Sequence, residues 1–87
     1  MWFVYILRCA DDSLYVGETG DVARRLATLD KGCASRHTAK RRPVQLVYVE
    51  QHSTRAACLE RERQIKGWTR AKKEALIAGD VVALKKL

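Results

Sequence analysis

Trp2-Phe3-Val4-Tyr5-Ile6-Leu7-Arg8, followed after a short polar gap by Leu14-Tyr15-Val16-Gly17-Glu18, is the stretch that decides the fold. The first run is aromatic and β-branched in the main and reads as a buried strand. Ala10-Asp11-Asp12-Ser13 is a turn cluster. The second run reads as a strand returning alongside the first, which gives an antiparallel hairpin. Side chains alternate across a sheet. An odd number of loop residues puts Tyr5 and Tyr15 on one face, and an even number separates them.

Downstream, Asp21 is placed to cap a helix running to about Lys31, with Gly32 as its stop. Val22, Leu26 and Leu29 form one apolar stripe along it, and Arg25 borders that stripe. Residues 33–42 are polar and basic without a period. Val44 to Glu50 reads as a third strand. Ser53 or Thr54 then caps a second helix that ends at Gly67, and a third helix covers about residues 69–79. The tail from Asp80 to Leu87 is open to a short extra helix. The order β-β-α-β-α-α implies an α+β fold: a small three-stranded, mainly antiparallel sheet flanked by helices, as a single domain over residues 1–87.

Seventeen Lys and Arg face ten Asp and Glu, a formal charge of +7 on 87 residues. That bias implies an anionic partner, and nucleic acid is the commonest. Cys9, Cys33 and Cys58 are odd in number and widely spaced, without a CxxC or Cys/His cluster. They read as small apolar side chains in a reducing cytoplasm rather than a zinc site or a disulfide framework. The longest apolar run, Met1 to Leu7, is far too short to span a membrane and lacks the flanks of a signal peptide.

Glu62 is the oddest local feature. It lies four residues after Cys58, three after Leu59 and three before Ile65, in the middle of the helix face expected to be buried. Arg61, Arg63 and Lys66 are assigned to other faces, so a carboxylate there needs a distant arginine or a divalent cation. Arg25 is the obvious arginine, able to pair with Glu62 or to hold a phosphate oxygen. Tyr5 and Tyr15 are strand aromatics whose default role is packing. Facing one cleft with a cation, a phenol becomes a candidate base toward water. Arg36, His37, Lys40, Arg41 and Arg42 stand in a stretch, Lys31 to Val49, without one acidic residue. Such charges grip phosphates without reading sequence. Trp68 is a candidate base-stacking residue, though a tryptophan between helices is more often core.

Val4-Tyr5-Ile6 followed ten residues later by Tyr15-Val16-Gly17 resembles the paired tripeptides that name the GIY-YIG nuclease superfamily. Arg25 stands where the family keeps an arginine, and Cys58-Leu59-Glu60-Arg61-Glu62 matches the segment that carries its metal-binding glutamate. Lys40 to Tyr48 and Ile65 to Lys73 resemble the small stand-alone bacterial branch. The resemblance implies a metal-dependent endonuclease with Tyr5, Tyr15, Arg25 and Glu62 as catalytic residues. It implies Glu62 as the ligand of one Mg²⁺ or Mn²⁺, and Gly17 as a structural residue of the motif. One tyrosine, Tyr5 or Tyr15, would activate or orient the water. The expected substrate is DNA, with RNA possible, in repair or recombination and with low intrinsic sequence specificity. Targeting would come from a partner protein if at all. The alternative is a catalytically weak nucleic-acid-binding module of the same fold.

Overall fold

The computed structural model describes residues 1–30 and 43–86. Strand β1 (Trp2–Cys9) turns back as β2 (Leu14–Thr19). The Cys9 amide donates to the Ser13 carbonyl at 2.9 Å, and the Asp12 amide donates to the Cys9 carbonyl at 2.9 Å. The loop therefore has three residues, Ala10, Asp11 and Asp12. Asp12 takes the left-handed conformation at φ 69°, which aspartate tolerates better than most residues. A tight turn closed by a left-handed residue is a favoured three-residue hairpin. The count is odd. The register pairs Tyr5 with Gly17 and Leu7 with Tyr15, so both tyrosines stand on one face.

Strand β3 (Val44–His52) pairs with the other edge of β1, also antiparallel, giving the order β2-β1-β3. Its register slips between Ile6 and Leu7: Tyr48 lies opposite Ile6, but Leu46 lies opposite Leu7. The bulge re-aims the strand. Tyr48 and Leu46 would otherwise share a face, and instead they serve opposite ones.

The helices begin as the sequence reading expects. Helix α1 (Val22–Asp30) is capped by the Asp21 carboxylate, which accepts from the Arg24 amide at 3.0 Å. Thr54 caps α2 (Arg55–Lys66), and Gly67 ends it. Thr69 caps α3 (Arg70–Ala78), and Gly79, left-handed at φ 71°, stops it. The Asp80 tail forms a further helix, α4 (Val81–Lys86), so the full order is β-β-α-β-α-α-α.

The central strand is buried on both faces. On one, Val4, Ile6 and Val16 pack with Cys58 and Ile65 of α2, ringed by Trp2, Trp68, Leu76 and Ile77. On the other, Tyr5 and Leu7 pack with Tyr15, Leu26, Val44 and Leu46. Cys9 and Cys58 are buried free thiols. An ion cluster ties the hairpin to α3: Arg8 grips Glu74 through two bonds of 2.6 and 3.1 Å. Asp12 bridges Arg8 at 3.0 Å and Arg70 at 2.9 Å. Among the described residues, no helix is long and apolar enough to cross a membrane.

Candidate active site

Tyr5 is the centre of the site, and Gly17 explains its posture. The two are cross-strand partners, and the Tyr5 ring folds across the bare glycine. A Cβ built on Gly17 would press on the phenol oxygen and lie 2.5 Å from Cζ of the ring. Tyr15, next along β2 on the same face, stacks its ring 6.4 Å from that of Tyr5 at a tilt of 37°. Tyr5 is only 2% exposed, whereas Tyr15 is half-buried.

Burial, more than any other influence, pushes the Tyr5 phenol up to about 12, so it keeps its proton at neutral pH. Tyr15 adds to the rise, Arg25 opposes it, and Glu62 and Glu18 add to it. Tyr5 thus feels side chains from α1, α2 and β2 at once. The geometry brings Tyr5 and Tyr15 into contact and sets Arg25 and Glu62 within electrostatic reach of the same phenol.

Glu62 is half-buried, with its side chain 16% exposed, and its Oε1 accepts from Lys66 Nζ at 2.7 Å. This corrects the assignment of Lys66 to another face: residues four apart on a helix are neighbours, and the lysine's stem reaches back. Arg25 is half-buried on α1, and among the described residues no ion pair joins it to Glu62. Arg36, His37, Lys40, Arg41 and Arg42 lie outside the described residues, as do Lys31, Gly32 and Cys33.

Two features escaped the sequence reading. Glu18 Oε2 is buried without a hydrogen-bond partner, and its Oε1 lies 4.0 Å from Arg55 Nη2. Leu14, Val16 and Glu18 share a strand face by alternation, so a carboxylate entering the core was readable from the period. The second is a network around Glu50. Its Oε2 accepts from the Tyr48 hydroxyl at 2.5 Å. Its Oε1 meets His52 Nε2 at 3.0 Å and Arg61 Nε at 2.8 Å. Burial raises the Glu50 carboxyl, but hydrogen bonds from Tyr48, His52 and Arg61 outweigh it and leave it below the ordinary range. Arg61 also lies over the Trp68 ring at 5.1 Å, with Lys72 at 4.4 Å. Trp68 is therefore a packed, cation-clad core residue.

Among the described residues no three His, Cys, Asp or Glu side chains gather to hold a metal. The available donor is hard carboxylate oxygen, from Glu62 and from the unpartnered Oε2 of Glu18. A magnesium-like ion, which keeps most of its waters and takes one or two carboxylates, fits such a sparse donor set.

The GIY-YIG catalytic domain model matches residues 1–75. This chain belongs to the GIY-YIG family. Curated relatives agree along most of its length. A UPF0213 protein of Natronomonas pharaonis is 45% identical over 78 residues, covering 90% of this chain and 92% of the relative. One of Staphylococcus aureus is 47% identical over 75 residues, covering 86% and 92%. The solution NMR structure of a UPF0213 protein of Bacillus halodurans superposes with a TM-score of 0.60 at 32% identity, covering 99% of this chain and 94% of that one. Tyr5, Gly17 and Tyr15 all lie within the matched stretch. Membership of the GIY-YIG family supports a nuclease-type function.

Proposed function

We propose that this chain is a divalent-metal-dependent endonuclease that hydrolyses phosphodiester bonds in DNA with little sequence preference, in repair or recombination. The observation that carries the reading is the environment of Tyr5. One phenol, packed on Tyr15, lies in the fields of Arg25 and Glu62, which come from different helices. Structural packing alone gives no reason for an arginine and a carboxylate to converge on a buried tyrosine.

Glu62 would hold the cation, with Glu18 adding negative potential nearby. A bound Mg²⁺ or Mn²⁺ supplies charge neutralisation at the scissile phosphate and the leaving oxygen. Arg25 binds a non-bridging phosphate oxygen through its planar guanidinium and stabilises the charge that grows there. Tyr15, the more exposed phenol, accepts a hydrogen bond from the attacking water and orients it, and the water's proton passes to solvent as the bond to phosphorus forms. Tyr5 stays protonated and donates a hydrogen bond that orients the water. The water oxygen bonds to phosphorus as the bond to the leaving sugar oxygen breaks. Lys66 satisfies Glu62 in the free protein.

The test is incubation of the purified protein with flap, branched, single-stranded and duplex DNA, and with matching RNA, in Mg²⁺, Mn²⁺ or EDTA. Cleavage with either metal and none in EDTA is expected. Glu62→Gln should abolish cleavage while the protein folds and binds DNA. A Glu62→Gln variant that cuts as fast as the parent removes Glu62 from the ligand role. A second reading, a catalytically weak binding module, draws on the Lys66–Glu62 pair, which occupies the carboxylate the cation needs. It predicts binding to every substrate and cleavage of none.

A further inference from the structure

A groove of about 370 Å³ opens at the end of the sheet where β2 passes into α1, and Arg25 lines it together with Trp2, Gly20, Arg24 and Thr28. Its chemistry is mixed in a particular way. Trp2 is half-buried, one part of it packed against the core of Val4, Ile6 and Val16. Gly20 lies beside the indole, where a Cβ would rest 3.4 Å from Trp2 Cζ3. Arg55 lies over the same ring at 5.2 Å from its centre. Arg24 is exposed and has no ion-pair partner among the described residues. Asp21 is the carboxylate on the wall, and its Oδ1 is engaged by the Arg24 amide at 3.0 Å as the helix cap.

An aromatic ring beside two guanidinium groups in a concavity of this size matches a single nucleotide. A base packs on indole, and phosphates pair with arginine. A base stacked inside a duplex cannot enter a pocket; an unpaired one can. Arg25 belongs both to the groove and to the surroundings of Tyr5. We infer that this groove is a subsite for an unpaired nucleotide adjoining the scissile phosphate, so that the substrate is a single strand, or a duplex with an unstacked base at the cut. The position relative to the cut rests on the nuclease reading above. The base-binding chemistry does not.

The experiment is binding in EDTA, where no cleavage intervenes. Labelled short single strands and a blunt duplex of the same sequence are titrated with the parent, Trp2→Leu and Arg24→Ala proteins and followed by fluorescence anisotropy. Thermal melts check the folding of each variant. Trp2→Leu keeps apolar bulk but loses the π face. It should weaken single-strand binding roughly tenfold and leave duplex binding unchanged. Arg24→Ala, at an exposed position, gives a second reading of the groove should Trp2→Leu fail to fold, and it too should weaken single strands more than duplex. Unchanged single-strand affinity in the folded variants, or an equal loss for both substrates, overturns the subsite. The parent proteins are assayed for cleavage in parallel. Cleavage together with binding indifferent to Trp2 and Arg24 sinks the subsite alone. Trp2-dependent single-strand binding without cleavage in Mg²⁺ or Mn²⁺ sinks the hydrolytic reading and keeps a base-binding groove.

Discussion

At Gly17 a single missing methyl group makes room for a ring. Gly17→Ala would drive the new Cβ into the Tyr5 phenol, and Tyr5 is too buried to swing clear without disturbing Tyr15 and Leu26. We expect a loss of roughly 1–3 kcal/mol in chemical denaturation, the usual cost of overpacking, and cleavage lost beyond what the stability change explains. Gly17→Ala with parental stability and activity would mean that the ring has space it is not seen to use. The phenols give a second expectation at this scale. Burial first of all pushes both Tyr5 and Tyr48 from 10.0 up to about 12. Above pH 10 the unfolded chain gives up those protons more readily than the folded one. The stability they lend is therefore full below pH 10 and drains away as pH rises toward 12. Denaturation midpoints measured from pH 8 upward should fall over that window, and Tyr5→Phe should flatten the fall. Strand alternation and helical period are local rules, and they place Tyr5 on its sheet face and Arg25 beside the apolar stripe of α1; the catalytic roles rest on the family resemblance. Glu18 shares the alternation of Leu14 and Val16, and only the packing of the structure shows that its Oε2 ends buried without a partner.

Among the elements, the starts were easy to read and the ties between them were not. Asp21, Thr54 and Thr69 each cap a helix, because capping is settled by a few neighbouring atoms. The bulge in β3 and the Arg8–Glu74 clasp depend on residues far apart in the chain, so no local pattern announces them; in the Glu50 network Tyr48 and His52 are neighbours by strand alternation, and only Arg61 comes from another element. Lys66 meets Glu62 because residues four apart on a helix are neighbours and a four-carbon stem reaches back along it. The Glu50 network fastens β3 to α2. Its carboxyl is held below the ordinary value of 4.5, so the stabilisation is present above that pH and is lost as acid protonates the folded form. Glu50→Gln should cost about 1–3 kcal/mol near neutral pH, leaving charged partners half satisfied, and the gap to the parent should narrow below pH 4.5. A gap that stays constant down to pH 3 would show that charge is not what Glu50 contributes. Thr69→Ala should cost about 1 kcal/mol, a typical loss for a cap, without touching cleavage.

The whole molecule carries a charge of +7, and a nucleic acid must shed counterions to meet it. Binding should fall with salt along a log–log slope of about −0.7 to −0.9 per phosphate contact. Lys40→Ala with Arg41→Ala, outside the described residues, should flatten that slope by roughly one to two units for all sequences alike. An unchanged slope would move the grip to α2 and α3, where Arg63 and Lys73 stand. The three-stranded, mainly antiparallel sheet with flanking helices is legible in the hairpin and the run of elements after it, whereas the strand order β2-β1-β3 and the burial of both faces come from the structure. The C-terminal helix α4 is not legible in the sequence, because its six residues hold too few turns to show a period. One consequence of the hairpin reaches past this molecule to its descendants. The three-residue turn fixes the parity by which Tyr5 and Tyr15 share a face, and Asp12, clasped by Arg8 and Arg70, marks its tip. One inserted residue would send Tyr15 to the opposite face unless a bulge absorbed it, while two would restore the pairing. Length changes at this turn should therefore survive in lineages by twos, and a singleton should be found beside a bulge or beside the loss of the second tyrosine.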